Sequence, residues 1–249
     1  MLYQPNDVYF ANIRLLIPKR VDDMVKLVVF DMAGTSIDED NVVYKTLQQS
    51  IEQAGFPCTL DQVLAEGAGR EKYQAIQQIL QVFHHLEDDS ICKTIFADFV
   101  IRLSAAYQHI QVKPMPDALE LFHQLRNQNI KVVLNTGYNI TTAQTLLHKL
   151  GWKEGVDYDA LITASDVTNS RPAPDMIHLA FQKFKLTNGN EAIKVGDSII
   201  DIEEGRNAGC RLCIGITTGA HTREQLLTAH PDAVIDHLFQ LIPLLKLVD

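Results

Sequence analysis

Four cysteines and one tryptophan in 249 residues leave no basis for a disulfide framework. The one CxxC spacing, Cys210 to Cys213 in AGCRLCIG, has no second CxxC or paired histidines to complete a metal site, and LCIGI has the make-up of a core strand. No apolar run approaches the roughly 18 residues of a membrane span. The opening MLYQPNDVYFANIRLLIPKR is broken too often by polar residues and proline to be a secretory signal. A cytoplasmic protein with no membrane partner is therefore expected. Positive charge is the scarcer sign, with 22 Lys and Arg against 31 Asp and Glu. A formal net charge of -9 disfavours nucleic acid as a partner but leaves room for a small anionic substrate, provided cations gather locally.

What is present is an ordinary globular composition, 46% hydrophobic and 21% charged. The chain is long enough for one large domain or for a domain with an insert. Short apolar runs ending in polar or glycine-containing turns recur at KLVVFD (26–31), IKVVLNTG (130–137), YDALITASD (158–166), AIKVGDS (192–198) and LCIGI (212–216). Helical patterns separate most of them, so the fold class expected is α/β with a mostly parallel sheet, in which ligands bind beyond the carboxyl ends of the strands. Residues 42–111 depart from this alternation: they carry helical periodicity and no convincing strand, as a lid inserted after the first strand would. The expected division is an accessory segment at 1–23, a core at 24–41 and 112–249, and a helical cap at 42–111. Met24, opening MVKLVVFD, would make a natural start. Between the first two helical patterns of the insert, LAEGAGREK places Arg70 and Lys72 after two glycines, either as a plain connection or as a loop presenting cations to a substrate.

Four short signals fall at strand ends or helix starts. In FDMAGT, Asp31 is available as nucleophile or metal ligand, or as an acid fixing a turn. In LNTGYN, the Thr136 hydroxyl and the Gly137 amide can hold a phosphoryl oxygen, or cap a helix. SRPAPDMI sets Arg171 before two prolines and a helix. GDSIIDIEEG places Asp197 and Asp201 at i,i+4 spacing, where two carboxylates can share a hard cation or favour a helix N-terminus.

Together and in this order, over about residues 24–220, the four signals resemble those of the haloacid dehalogenase superfamily. The resemblance implies a Rossmann-like core with an inserted α-helical cap. It also implies a hydrolase in which Asp31 attacks phosphorus and water hydrolyses the aspartyl-phosphate. Mg²⁺ would be held by Asp31, the Ala33 carbonyl and Asp197, with Asp201 as ligand or support. Thr136 would bind phosphate and Arg171 would supply positive charge, while Gly34, Thr35, Gly137, Arg70 and Lys72 are expected to contact substrate. A homo-oligomer is compatible with the sequence.

Ala33 narrows the branch. Superfamily phosphatases carry an acid at that position, and general acid help is worth about 10² to 10⁴ in rate, so alkyl phosphates should be poor substrates here. The DxAGT, NTGYN and RPAP motifs resemble the phosphonatase branch, whose namesake cleaves the carbon-phosphorus bond of phosphonoacetaldehyde through a cap lysine that forms an imine. Aligned on that loop, Arg70 falls at the lysine's position and Lys72 is expected to face away. A phosphonatase-like hydrolase acting on some other small organophosphorus substrate is therefore expected. The alternatives are a phosphomonoester phosphatase and a non-catalytic phosphate-ligand sensor.

Overall fold

A computed structural model describes residues 25–248, so the expected accessory segment 1–23 lies outside the described residues. The five apolar runs become β1 (Leu27–Asp31), β4 (Lys131–Thr136), β5 (Ala160–Thr163), β6 (Ala192–Gly196) and β7 (Leu212–Ile216). With β8 (Ala233–Ile235) they form a six-stranded sheet in the order β5-β4-β1-β6-β7-β8, every pair parallel. β1 alternates between two cores, because successive side chains point to opposite faces of a sheet. Leu27 and Val29 pack with Met176, Ile177 and Ala180 of helix α7 (Asp175–Phe184). Val28 and Phe30 lie in the opposite core, where the Phe30 ring is 4.8 Å from that of Phe122 on α5 (Ala118–Asn127).

The chain leaves β1, adds β4 and then β5 on one side, and returns to add β6 on the other. Such a switch opens a crevice at the carboxyl end of β1, and Asp31 stands there. α6 (Ile140–Leu150) and α8 (Ile199–Asn207) begin just beyond β4 and β6, so their N-termini border the same crevice.

The insert consists of α1 (Val42–Gln53), α2 (Leu60–Gly67), α3 (Lys72–His84) and α4 (Asp89–His109), packed on one another. It departs and returns through β2 (Ile37–Asp38) and β3 (Lys113–Pro114), an antiparallel pair that forms a neck. α2 was not expected. Its start was written in TLDQ, since the Thr59 hydroxyl accepts from the Gln62 amide while the Gln62 side chain accepts from the Thr59 amide. The chain closes with α9 (Arg223–Thr228) and α10 (Leu241–Val248). Among the described residues no helix is long and apolar enough to cross a membrane.

Candidate active site

Three acids converge at the crevice. Asp31 ends β1, Asp197 follows β6, and Asp201 lies in the first turn of α8; each is at least 95% buried, and one oxygen from each lies within 4.8 Å of the others. Asp201 is held by the start of its own helix, where its Oδ2 accepts from the Ser198 hydroxyl at 2.6 Å and the Ser198 amide at 3.2 Å. Asp197 meets neutral donors, the Ala220 amide at 2.6 Å and the Thr35 hydroxyl at 3.4 Å. Burial first, and then repulsion from Asp31 and Asp201, push its carboxyl well above the usual range. Gly34 closes this wall at φ +80°, and a Cβ there would run into the Asp197 carboxylate, so glycine is required on both counts.

The cations are shared unevenly. Arg171, 1% exposed, places Nη1 2.7 Å from Asp31 Oδ1 and 3.0 Å from Asp201 Oδ1, and Nε 2.9 Å from Glu204 Oε2. Its Nη2 donates to the Asn135 carbonyl at 2.7 Å and to the Asn135 side-chain oxygen. Lys194, fully buried in β6, reaches Asp201 Oδ1 and Asn135 Oδ1, both at 2.9 Å. The guanidinium fork is thus spent on protein groups, and it fixes the Asp31 carboxylate. Burial works against ionising Asp201, but Arg171 and Lys194 outweigh it and hold that carboxyl below its ordinary value. Asp31 is raised to about 6, by burial first and by Asp201 next, with Arg171 and Lys194 pulling the other way.

Arg171→Met should cost about 3–5 kcal/mol of stability, because it strands buried carboxylates without a partner. Denaturant unfolding checks this, and Arg171→Lys should recover only part of the loss, since an ammonium cannot span three carboxylates.

Thr136 and Gly137 lie at the end of β4. The Thr136 hydroxyl, 2% exposed, accepts from the Tyr138 amide at 3.1 Å, which leaves its proton available. A Cβ on Gly137 would come 2.7 Å from the Gly69 carbonyl, so glycine lets the insert's loop approach the sheet. Ala33 offers this crevice a methyl group and a carbonyl, and no acid.

Arg70 and Lys72 exchange the places expected of them. Arg70 donates through Nε to the Glu66 carbonyl at 2.8 Å and lines a separate cleft with Gln74, Gln78 and Asp88. Lys72, 6% exposed, turns inward: its ammonium nitrogen is 2.7 Å from the Arg70 carbonyl, 4.7 Å from the centre of the Tyr44 ring and 5.5 Å from that of Tyr138. Two residues apart on one helix, they would point to nearly opposite faces, but they do not share a helix. Gly69 turns the chain at φ +72°, Glu71 is an extended N-cap, and helical geometry begins at Lys72. Burial lowers the Lys72 pKa to about 8, even though Glu71 and Asp31 favour its charge. Glu39, 2% exposed, lies near enough to feel the Lys72 charge; burial raises its carboxyl to about 8, and it accepts from the Val43 amide at 3.3 Å.

Glu39, Tyr44, Asn135, Lys194 and Glu204 were not singled out from sequence. Lys194 had a signal, because a lysine inside the strand AIKVG must find a buried acid, and the acid-rich DIEEG follows.

A family model described as a haloacid dehalogenase-like hydrolase matches residues 25–209. The phosphonoacetaldehyde hydrolase of Lactiplantibacillus plantarum is 29% identical over 210 residues, which cover 79% of this chain and 77% of that protein. The phosphoglycolate phosphatase of Yersinia pestis is 24% identical over 90% of this chain and 94% of its own length. Among solved structures, a phosphonoacetaldehyde hydrolase like protein from Oleispira antarctica superposes with a TM-score of 0.77, covering 94% of this chain and 96% of that one at 23% identity.

Proposed function

The chain belongs to the haloacid dehalogenase-like hydrolases, and on that footing we propose that it cleaves the carbon-phosphorus bond of a carbonyl-bearing phosphonate, with Asp31 as nucleophile and Lys72 as the activating amine. The observation that carries this reading is Lys72 itself, buried at the start of α3, close enough to Asp31 to feel its charge, and able to shed its proton near pH 8. Reading Arg70 in the lysine's place had pointed away from phosphonoacetaldehyde; with Lys72 at the site that objection falls.

The neutral Lys72 amine adds to the carbonyl and, as a proton is taken up, expels water, leaving a protonated imine two bonds from phosphorus. A carboxylate oxygen of Asp31 then attacks phosphorus. The breaking carbon-phosphorus pair flows into the imine, forming an enamine in place of a bare carbanion. Protonation of that carbon, followed by hydrolysis, returns the amine and releases the dephosphonylated carbonyl compound. A second water cleaves the aspartyl-phosphate to free phosphate. No alkoxide leaves in this sequence, which is why Ala33 suffices where a phosphoester would need an acid. Thr136 donates its hydroxyl proton to a phosphoryl oxygen, and Arg171 keeps Asp31 aligned and its charge balanced. The four helices of the insert serve as the cap that carries Lys72.

The acids also fit a hard cation: their donors are all oxygen, and Asp197 meets neutral donors while Arg171 and Lys194 serve its neighbours. Asp31, the Ala33 carbonyl and Asp197, with Asp201 behind them, would hold Mg²⁺, which would offset phosphate charge. Adding a chelator should abolish phosphate release, and Mg²⁺ should restore it better than Ca²⁺.

A phosphomonoester phosphatase is the second reading, favoured by Glu39, a buried carboxyl raised to about 8 and close enough to Lys72 to feel its charge. One comparison decides between the two. The kcat/KM for phosphate release from phosphonoacetaldehyde should exceed that from phosphoglycolate by about 10²-fold or more, the help a general acid would give. Preference for phosphoglycolate would establish the phosphatase instead.

A further inference from the structure

Lys72 and Tyr138 form the inner end of a cleft of about 820 Å³ between α4 and α6. A two-carbon phosphonate would occupy a small part of it, since volumes of this order hold drug-sized ligands. α4 contributes apolar lining through Phe96, Phe99 and Leu103, and Val100, 45% exposed, extends this surface to the mouth. The facing side is polar, with Thr141, Thr142, Thr145 and Lys149 along α6, and two buried phenols lie where these walls meet. The phenols of Tyr107 and Tyr138, 6% and 4% exposed, line the cleft, and their hydroxyls have no hydrogen-bond partner among the described residues. Buried hydroxyls normally find partners. Two left unpartnered at the buried end of the cleft, one of them on the tyrosine beside Lys72, mark a place where a ligand supplies the acceptor.

We propose that this cleft receives the organic part of the substrate, an apolar or aryl chain carrying a hydrogen-bond acceptor, so that the preferred substrates are extended carbonyl phosphonates larger than the two-carbon aldehyde. The inference rests on the reading that one substrate spans Lys72 and Asp31, and it adds what lies beyond the carbonyl. The phosphonate end sits at the three acids, the carbonyl at Lys72, and the remainder runs outward between α4 and α6 with its acceptor on Tyr107 and Tyr138. The same cleft also explains why α4 leaves an apolar face uncovered along this side.

The test separates binding from turnover. Calorimetry compares ethylphosphonic acid with the anilide of 4-phosphonobutanoic acid, neither of which has an aldehyde or ketone for Lys72 to attack. The anilide should bind at least tenfold more tightly. Ser104→Trp, at an exposed position of α4 that lines the cleft, should erase that advantage without any core rearrangement. Tyr107→Phe should weaken the anilide about fivefold, the worth of one hydrogen bond, and leave ethylphosphonic acid unchanged. Equal affinities in the parent, or an anilide affinity indifferent to Ser104→Trp, would overturn the inference and make the cleft a gap between insert and sheet. In parallel, phosphate release is measured from phosphonoacetaldehyde and from 2-oxo-4-phenylbutylphosphonate, with the longer compound expected to have the higher kcat/KM. Tight anilide binding with neither compound hydrolysed would leave the cleft assignment standing and remove the carbonyl-phosphonate reading. Hydrolysis of the short compound alone, with no anilide preference, would do the reverse.

Discussion

Asp31→Asn should lower phosphate release by about 10³-fold or more, because an amide of the same shape has no carboxylate oxygen to offer phosphorus. The fold should survive. Arg171 still pairs with Asp201 and Glu204, and Lys194 still pairs with Asp201, so the buried cluster keeps its cations. The stability change even has a defined sign in metal-free buffer. Burial raises the Asp31 pKa from 3.8 to about 6, so the folded state holds this proton more tightly than the unfolded chain. Stability therefore falls as pH rises through that window, and the neutral asparagine escapes the penalty above it. At pH 7 without metal, the variant should melt no lower than the parent while turning over negligibly. A variant that keeps more than a few per cent of the parent rate would remove Asp31 from the nucleophile's role.

Lys72→Arg should abolish carbon-phosphorus cleavage as completely, for a different reason. The guanidinium retains charge and bulk but does not lose its proton, so no imine forms and the carbon would have to depart as an unstabilised carbanion. Lys72→Ala would remove packing against Tyr44 and Tyr138 as well, which makes arginine the cleaner probe. The Lys72 titration also sets the pH profile. Activity should rise as the Lys72 amine is freed near pH 8. An ordinary lysine, at 10.5, would place that rise far higher. If the Lys72→Arg protein still released phosphate from phosphonoacetaldehyde at the parent rate, the imine route would be excluded.

The sheet was legible because each of its five longer strands is a short apolar run closed by a polar turn, and the acids were legible because they stand at those turns. β8 escaped notice because AVI is too short to show a period. The site was legible one residue at a time, but the partners within it were not. Nothing in SRPAP says that Arg171 will turn its fork toward Asp31, Asp201 and Glu204, because those contacts join segments 140, 30 and 33 positions apart and only the folded sheet brings them together. The Arg70 and Lys72 exchange is of another kind. It turned on where a helix begins: with Glu71 as the N-cap of α3, it is Lys72 that turns inward.

Borohydride trapping with phosphonoacetaldehyde tests the imine most directly. Reduction should fix the substrate's two-carbon fragment to one residue as a secondary amine, and peptide mass mapping should place it on Lys72, at a rate that climbs with a midpoint near pH 8 and vanishes in Lys72→Arg. A protein that releases phosphate from phosphonoacetaldehyde yet takes up no label, or takes it up at a lysine other than Lys72, would contradict the account.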